Sequence, residues 1–391
     1  MDTTQAATPV YHVITPGDHY SPRTGSAIPT VVHGLATGAA QCGDALAFPQ
    51  GVVLERGTFE PRYPSARSIE YAGAPAPSRI RRLTDAASGR LGLSRSGALD
   101  YFRPAAEVLE NEPRGIVLAH NAPAAAKLAS RGWHRVFLYA HNNVLRSYSR
   151  REAARMLGRT EGIISVSDSL AEELRAHLPA ALHSRVHTVL NGVDAAQFTP
   201  AEERPQRPLK VLFVGRMIPT KGADVMLKAA AMLQGAPIEY TIVGSAGFDA
   251  EAALSDYESG LRQLAEQVDA PVHFLPFTDR AQLPAVLRDA DVFVAPSRWK
   301  DPSPLTIGEA MASGLAVVAA RSGGIPELLG DAGELFDPDR PEELAAVLRR
   351  WAESPETVQE RREAARDRAV AHDWAWTWRE LRGVLDDTGR A

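Results

Sequence analysis

The chain has 391 residues, 45% of them apolar and 23% charged, with a formal net charge of −5. This length suits two to three domains, and the near-average composition argues against a disordered chain. No run of apolar residues is long enough to span a membrane, the first ten residues lack the features of a secretory signal, and the single cysteine, Cys42, excludes a disulfide framework or a cysteine-built metal site. A cytoplasmic protein is expected.

Taken in order, short apolar runs rich in β-branched residues alternate with helical patterns, the signature of an α/β fold with buried parallel strands. Strands are predicted at 11–15, 51–54, 115–119, 136–140 and 162–166, with helices at 28–36, 122–131 and 168–177. Residues 61–78, rich in Pro, Ala and Ser, read as a loop. The segment T-P-A-E-E-R-P-Q-R-P at 199–208 reads as an interdomain linker. The pattern then restarts, with strands at 210–214, 239–243, 272–275, 292–295 and 316–319 and helices at 223–233, 254–268, 280–288 and 307–312. A last helix is predicted at 374–384, weighted by Trp374, Trp376 and Trp378.

Two clusters could carry chemistry. In V-L-F-V-G-R-M-I-P-T-K-G, from residue 211, a strand ends at Gly215 and a loop presents Arg216 and Lys221 before a helix. Two cations beside a helix N-terminus make an anion site sized for a pyrophosphate, although an ordinary βα loop with exposed cations fits the spacing as well. In P-S-R-W-K-D-P-S-P-L-T-I-G-E, from residue 296, Asp301 falls in a loop and Glu309 in the first turns of a helix. Both would look into the crevice at the carboxyl end of a sheet, where a carboxylate can accept hydrogen bonds from sugar or ribose hydroxyls. A turn residue and a helix-dipole partner are the plainer readings.

These clusters, in this order, resemble the retaining glycosyltransferases of family 4, which have the GT-B fold. The family pattern in its second domain is a Gly-Arg loop ending in Lys-Gly, then two carboxylates eight positions apart. Here these are Gly215-Arg216, Lys221-Gly222, Asp301 and Glu309. V-S-D-S-L at 166–170, N-G-V-D at 191–194 with Phe198, and G-G-I-P-E-L at 323–328 agree, and A-H-D-W-A-W at 371–376 resembles the family's crossover helix. The resemblance implies two Rossmann-like domains with parallel sheets facing across a cleft: 1–198 for the acceptor, 199–370 for the nucleotide-sugar, and 371–391 as a helix crossing back to the first domain. It implies a hexose-type transfer with retention, without metal or cofactor. Arg216 and Lys221 would clamp the donor pyrophosphate, Asp301 would contact the sugar, and Glu309 the ribose. Two histidines end strands, His120 in L-A-H-N and His141 in Y-A-H-N-N; the second matches the family's active-site histidine, although a strand-terminal His-Asn is also common as a plain loop. Gly25 stands where the family has a glycine-rich loop.

Two departures bear on the donor. Aspartate replaces the family's usual glutamate at 301, and Pro-Ser-Pro follows it where Pro-Phe-Gly is commoner. Pro304 has no N–H, so donor phosphate contacts are expected from the amides of Leu305 and Thr306. A UDP-sugar is the first expectation and GDP-mannose the second. The acceptor, whether glycan, lipid-linked or small molecule, is not legible. A nucleotide-sugar 2-epimerase of the same fold and a non-catalytic binding homologue are the alternatives.

Asp289-Ala290-Asp291 resembles a metal-binding D-x-D, but it precedes a strand rather than following one and reads as structural. Residues 1–200 carry 21 Lys and Arg against 17 Asp and Glu, and 201–391 carry 22 against 31. The basic first half suits an anionic partner or a solvated surface, and weak peripheral contact with the inner membrane face through Arg79, Arg81 and Arg82 is one form it could take. No nucleic-acid partner is expected.

Overall fold

The computed structural model describes residues 7–201, 208–247 and 253–388. The chain divides into two compact units, 1–191 with 374–391, and 192–373. The first boundary precedes the predicted one at 199 because Val193 bridges to Asp373 and Phe198 is buried in the core of the second unit. Most of the predicted linker, 202–207, lies outside the described residues.

The first unit holds a seven-stranded parallel sheet of β1 (Val10–Val13), β2 (Gln50–Glu55), β3 (Arg67–Tyr71), β4 (Ile116–His120), β5 (Arg135–Ala140), β6 (Gly162–Ser165) and β7 (Val186–Thr188), in the order 3-2-1-4-5-6-7. β1, β4 and β6 are buried along their whole length, as strands covered on both faces must be. β3 corrects the reading of 61–78 as a loop. It is an edge strand with only Ile69 and Tyr71 buried, too short an apolar signal to stand out between prolines.

The second unit holds a six-stranded parallel sheet of β8 (Leu209–Val214), β9 (Ile238–Val243), β10 (Val272–Leu275), β11 (Val292–Ala295), β12 (Ala316–Ala320) and β13 (Glu334–Phe336), in the order 10-9-8-11-12-13. Its strands feed two cores in alternation. Val211, Phe213, Val292, Val294 and Val318 enter one, and Leu212, Phe293, Val317 and Ala319 enter the other. In each sheet the strand order reverses at one place, between β1 and β4 and between β8 and β11. Open α/β sheets bind ligands at the carboxyl ends of strands at such a reversal.

The helix Trp374–Thr388 packs on the helix Ala27–Gln41 within the first unit. Gly34 and Gly38, one turn apart, make the approach: a Cβ on the first would overlap the Trp374 ring, and on the second the Trp374 carbonyl. Trp378 Nε1 donates to Asp44 at 2.8 Å, and Arg382 pairs with the same carboxylate at 2.8 Å. Of the cations considered for membrane contact, Arg81 pairs with Asp100 at 2.7 Å, and Arg82 donates to the Pro77 carbonyl at 2.9 Å. Arg95, further along, is taken up by the buried Glu152. Among the described residues no helix is long and apolar enough to cross a membrane.

Candidate active site

The loops after β8 and β11 meet at the reversal of the second sheet. Gly222 adopts φ +75°, and a Cβ there would overlap the Pro296 carbonyl, so only glycine lets the two loops close on each other. Asp224 and Arg298 lock them with a two-pronged pair at 2.7 Å. Burial opposes ionisation of Asp224, but hydrogen bonds from Arg298, Tyr257 and Lys228 outweigh it and hold its carboxyl well below the usual carboxylate range.

Within this frame three of the predicted residues, Lys221, Asp301 and Glu309, enter ion pairs. Lys221 Nζ lies 2.5 Å from Asp301 Oδ2, and 5.6 Å from the centre of the Trp299 ring. Asp301 is 6% exposed, so its charge is compensated by Lys221. Its backbone is pinned as well: the Gly324 N–H donates to its carbonyl at 2.9 Å, and Gly323, at φ +57°, packs so close that a Cβ would overlap that carbonyl. Glu309 is 2% exposed, with Oε1 held 2.5 Å from Arg280 Nη2, while Oε2 has no hydrogen-bond partner among the described residues. That oxygen is buried and leaves one acceptor position unused.

Arg280 escaped the sequence reading. Its guanidinium lies 5.7 Å from the centre of the Phe198 ring, and only its place in the fold, against Phe198 and Glu309, marks it out. Gly215 is pressed against Gly244, where φ +139° and the Gly215 carbonyl both require glycine. Arg216 is exposed. Leu305 and Thr306 open the helix Leu305–Ala312, and no side chain caps it, so their amides face outward without helical partners. Asp289 pairs with Lys210 at 2.9 Å, and Asp291 accepts the Lys210 backbone N–H at 3.0 Å, which gives both a structural use at the start of β8.

In the first unit Gly25 is exposed in the loop before the helix Ala27–Gln41. His141 follows β5, and its N–H donates to Asn121 Oδ1 at 2.7 Å. It does not stand alone. His141 Nε2 lies 2.7 Å from His120 Nδ1, His120 Nε2 lies 2.9 Å from His12 Nδ1, and His12 Nε2 lies 2.9 Å from Gln50 Oε1. Sequence reasoning missed His12, because it sits mid-strand within an apolar run. Burial pushes His12 down to about 4 and His141 to about 3, and lowers His120 well below the ordinary value of 6.5. Below pH 6.5 the unfolded chain binds protons that the native state refuses, so stability is complete above that pH and falls as pH drops toward 4 and 3. Each histidine contributes up to about 1.4 kcal/mol per pH unit in that window. Chemical denaturation at pH 7.5, 6.5 and 5.5 should show the loss; a flat profile would contradict the buried neutral histidines.

Residues 194–368 match the family described as Glycosyl transferases group 1, and 60–197 match Glycosyltransferase Family 4. The chain belongs to the family 4, or group 1, glycosyltransferases. A D-inositol 3-phosphate glycosyltransferase of Corynebacterium kroppenstedtii is 33% identical over 52% of this chain and 49% of its own length. The match thus spans about half of that relative. An alpha-maltose-1-phosphate synthase of Mycolicibacterium smegmatis is 27% identical over 76% of this chain and 89% of its own. Among solved structures, Anabaena HepE in complex with UDP and glucose superposes with a TM-score of 0.67 at 18% identity, covering 96% of this chain and 99% of that one. This family 4 chain therefore shares the GT-B fold.

Proposed function

We propose that this glycosyltransferase moves a hexose-type sugar, with retention and without a metal, from a nucleotide-diphosphate donor, a UDP-sugar before GDP-mannose. One observation carries the reading: the loop bearing Arg216 and Lys221 is locked against the loop bearing Asp301, beside the open first turn of the helix Leu305–Ala312 and the buried Glu309. A diphosphate fits such cations and amides, and a ribose hydroxyl fits the free oxygen of Glu309. As the sugar–phosphate bond breaks, charge builds on the leaving diphosphate, and fixed cations there stabilise it. Asp301 then has two uses, holding Lys221 before the donor arrives and accepting from the sugar afterwards. The curated relatives described above are named as glycosyl-transferring or synthase enzymes, which favours transfer over epimerisation. The acceptor is left open among glycan, lipid-linked and small-molecule classes.

Donor turnover decides between these readings. Hydrolysis and transfer of UDP-glucose and GDP-mannose should proceed equally with and without excess EDTA. Loss of turnover that magnesium or manganese restores would sink the metal-free mechanism. Donor isomerisation without any acceptor or water product would favour the epimerase.

A further inference from the structure

The histidine line of the first unit has a direction, and Gln50 sets it. The Gln50 amide nitrogen lies 2.7 Å from the Phe48 carbonyl oxygen. A carbonyl only accepts, so the nitrogen must face it, and the amide oxygen must be the atom 2.9 Å from His12 Nε2. That oxygen has no proton to give, so His12 carries its proton on Nε2 and accepts at Nδ1. His120 Nε2, at 2.9 Å from that Nδ1, must then donate, which leaves His120 Nδ1 as an acceptor. His141 Nε2, at 2.7 Å from it, must donate in turn. One proton per ring is then used up, and His141 Nδ1 is left bare, with no hydrogen-bond partner among the described residues.

We propose that Gln50, His12 and His120 are positioning residues that lock His141 in the Nε2–H tautomer, so that it offers a bare Nδ1, an acceptor only, to a ligand hydroxyl at the carboxyl end of β5 in the first unit. The ligand hydroxyl rests on the function proposed above; the proton order does not. The order needs every ring to be neutral, and burial keeps all three so at pH 7. The rings cannot easily turn out of line. Tyr139 stacks against His120 and His141, with centres 4.9 Å apart in both cases, and the Asn121 side chain fixes the His141 backbone. Reversing the order would set the Gln50 amide oxygen against the Phe48 carbonyl, two acceptors facing each other. A histidine whose nitrogens were both free to tautomerise would present a donor or an acceptor to the substrate; this one presents an acceptor only.

Nuclear magnetic resonance on the full chain, labelled with ¹⁵N-histidine, reads the order directly. At pH 7, couplings through the two N–H···N bonds should link three rings in series, all with the proton on Nε2. Three linked rings with the proton on Nδ1, or a series with mixed tautomers, would overturn the proposal. Gln50→Met removes the anchor. It should give mixed tautomers and lower kcat/KM about tenfold, the size of one weakened hydrogen bond. An unchanged Nε2–H order in that variant would deny Gln50 its role, and the wild-type spectrum decides the order even if the variant does not fold. His141→Ala should lower kcat/KM by a similar factor, and an unchanged kcat/KM would overturn the hydroxyl contact. A failure of the chain to bind any nucleotide-sugar would instead remove the proposed function and leave the proton order standing.

Discussion

Lys221→Ala and Arg216→Ala are each expected to lower kcat/KM roughly 100-fold, about 3 kcal/mol of lost transition-state stabilisation. A leaving nucleoside diphosphate gains negative charge as the glycosidic bond breaks, and a cation fixed in a loop closed by Gly222 and the Asp224–Arg298 pair meets that charge with little reorganisation. The two variants should differ in stability. Arg216 is exposed, so its loss should leave thermal stability near wild type. Lys221 compensates the buried Asp301, so its loss leaves an unpaired carboxylate and should lower the melting temperature as well. Adding Asp301→Asn to Lys221→Ala should recover stability but not activity. Near-normal kinetics in both single variants would mean that the diphosphate does not sit at this loop.

Gly38→Ala is expected to destabilise the first unit by about 3 kcal/mol, a large effect for one methyl group. The new Cβ would overlap the backbone carbonyl of Trp374, which has no flexible end to move aside. The helix Trp374–Thr388 would have to lift from the helix Ala27–Gln41 and strain the Trp378 and Arg382 contacts to Asp44. Gly383→Ala, in the same terminal helix with nothing within 4 Å of its added Cβ, is the control and should be neutral or slightly stabilising. Equal denaturation midpoints for the two variants would contradict this packing.

Much of this arrangement was legible in the sequence, and for a definite reason. Buried parallel strands must be apolar on both faces, so β1, β4, β8, β11 and β12 stand out as short apolar runs between helical patterns. The loops that follow β8 and β11 carry their charged residues and glycines in the order of the family's pattern, so Arg216, Lys221, Asp301 and Glu309 were candidates from the sequence, and the fold sets Lys221 against Asp301 and Glu309 against Arg280. What stayed hidden depends on contacts distant in sequence. β3 is half exposed and framed by prolines. Arg280 has meaning only because the fold sets it against Glu309 and Phe198. His12 lies within an apolar strand, and nothing local shows that β4 and β5 bring His120 and His141 into line with it. Gly34 and Gly38 show the four-residue spacing of a close helix contact, but their partner, Trp374, lies at the far end of the chain.

The central claim is that the loops after β8 and β11 bind a nucleoside diphosphate through Arg216 and Lys221. Calorimetric titration of UDP, GDP, ADP and TDP in excess EDTA, on the wild type and on the Arg216→Ala/Lys221→Ala double variant, tests it most directly. Saturable binding of at least one nucleotide to the wild type, with UDP first, and a loss of affinity of at least roughly 100-fold in the double variant are expected. Equal affinity in the two proteins, or no binding of any of the four to the wild type, would contradict it.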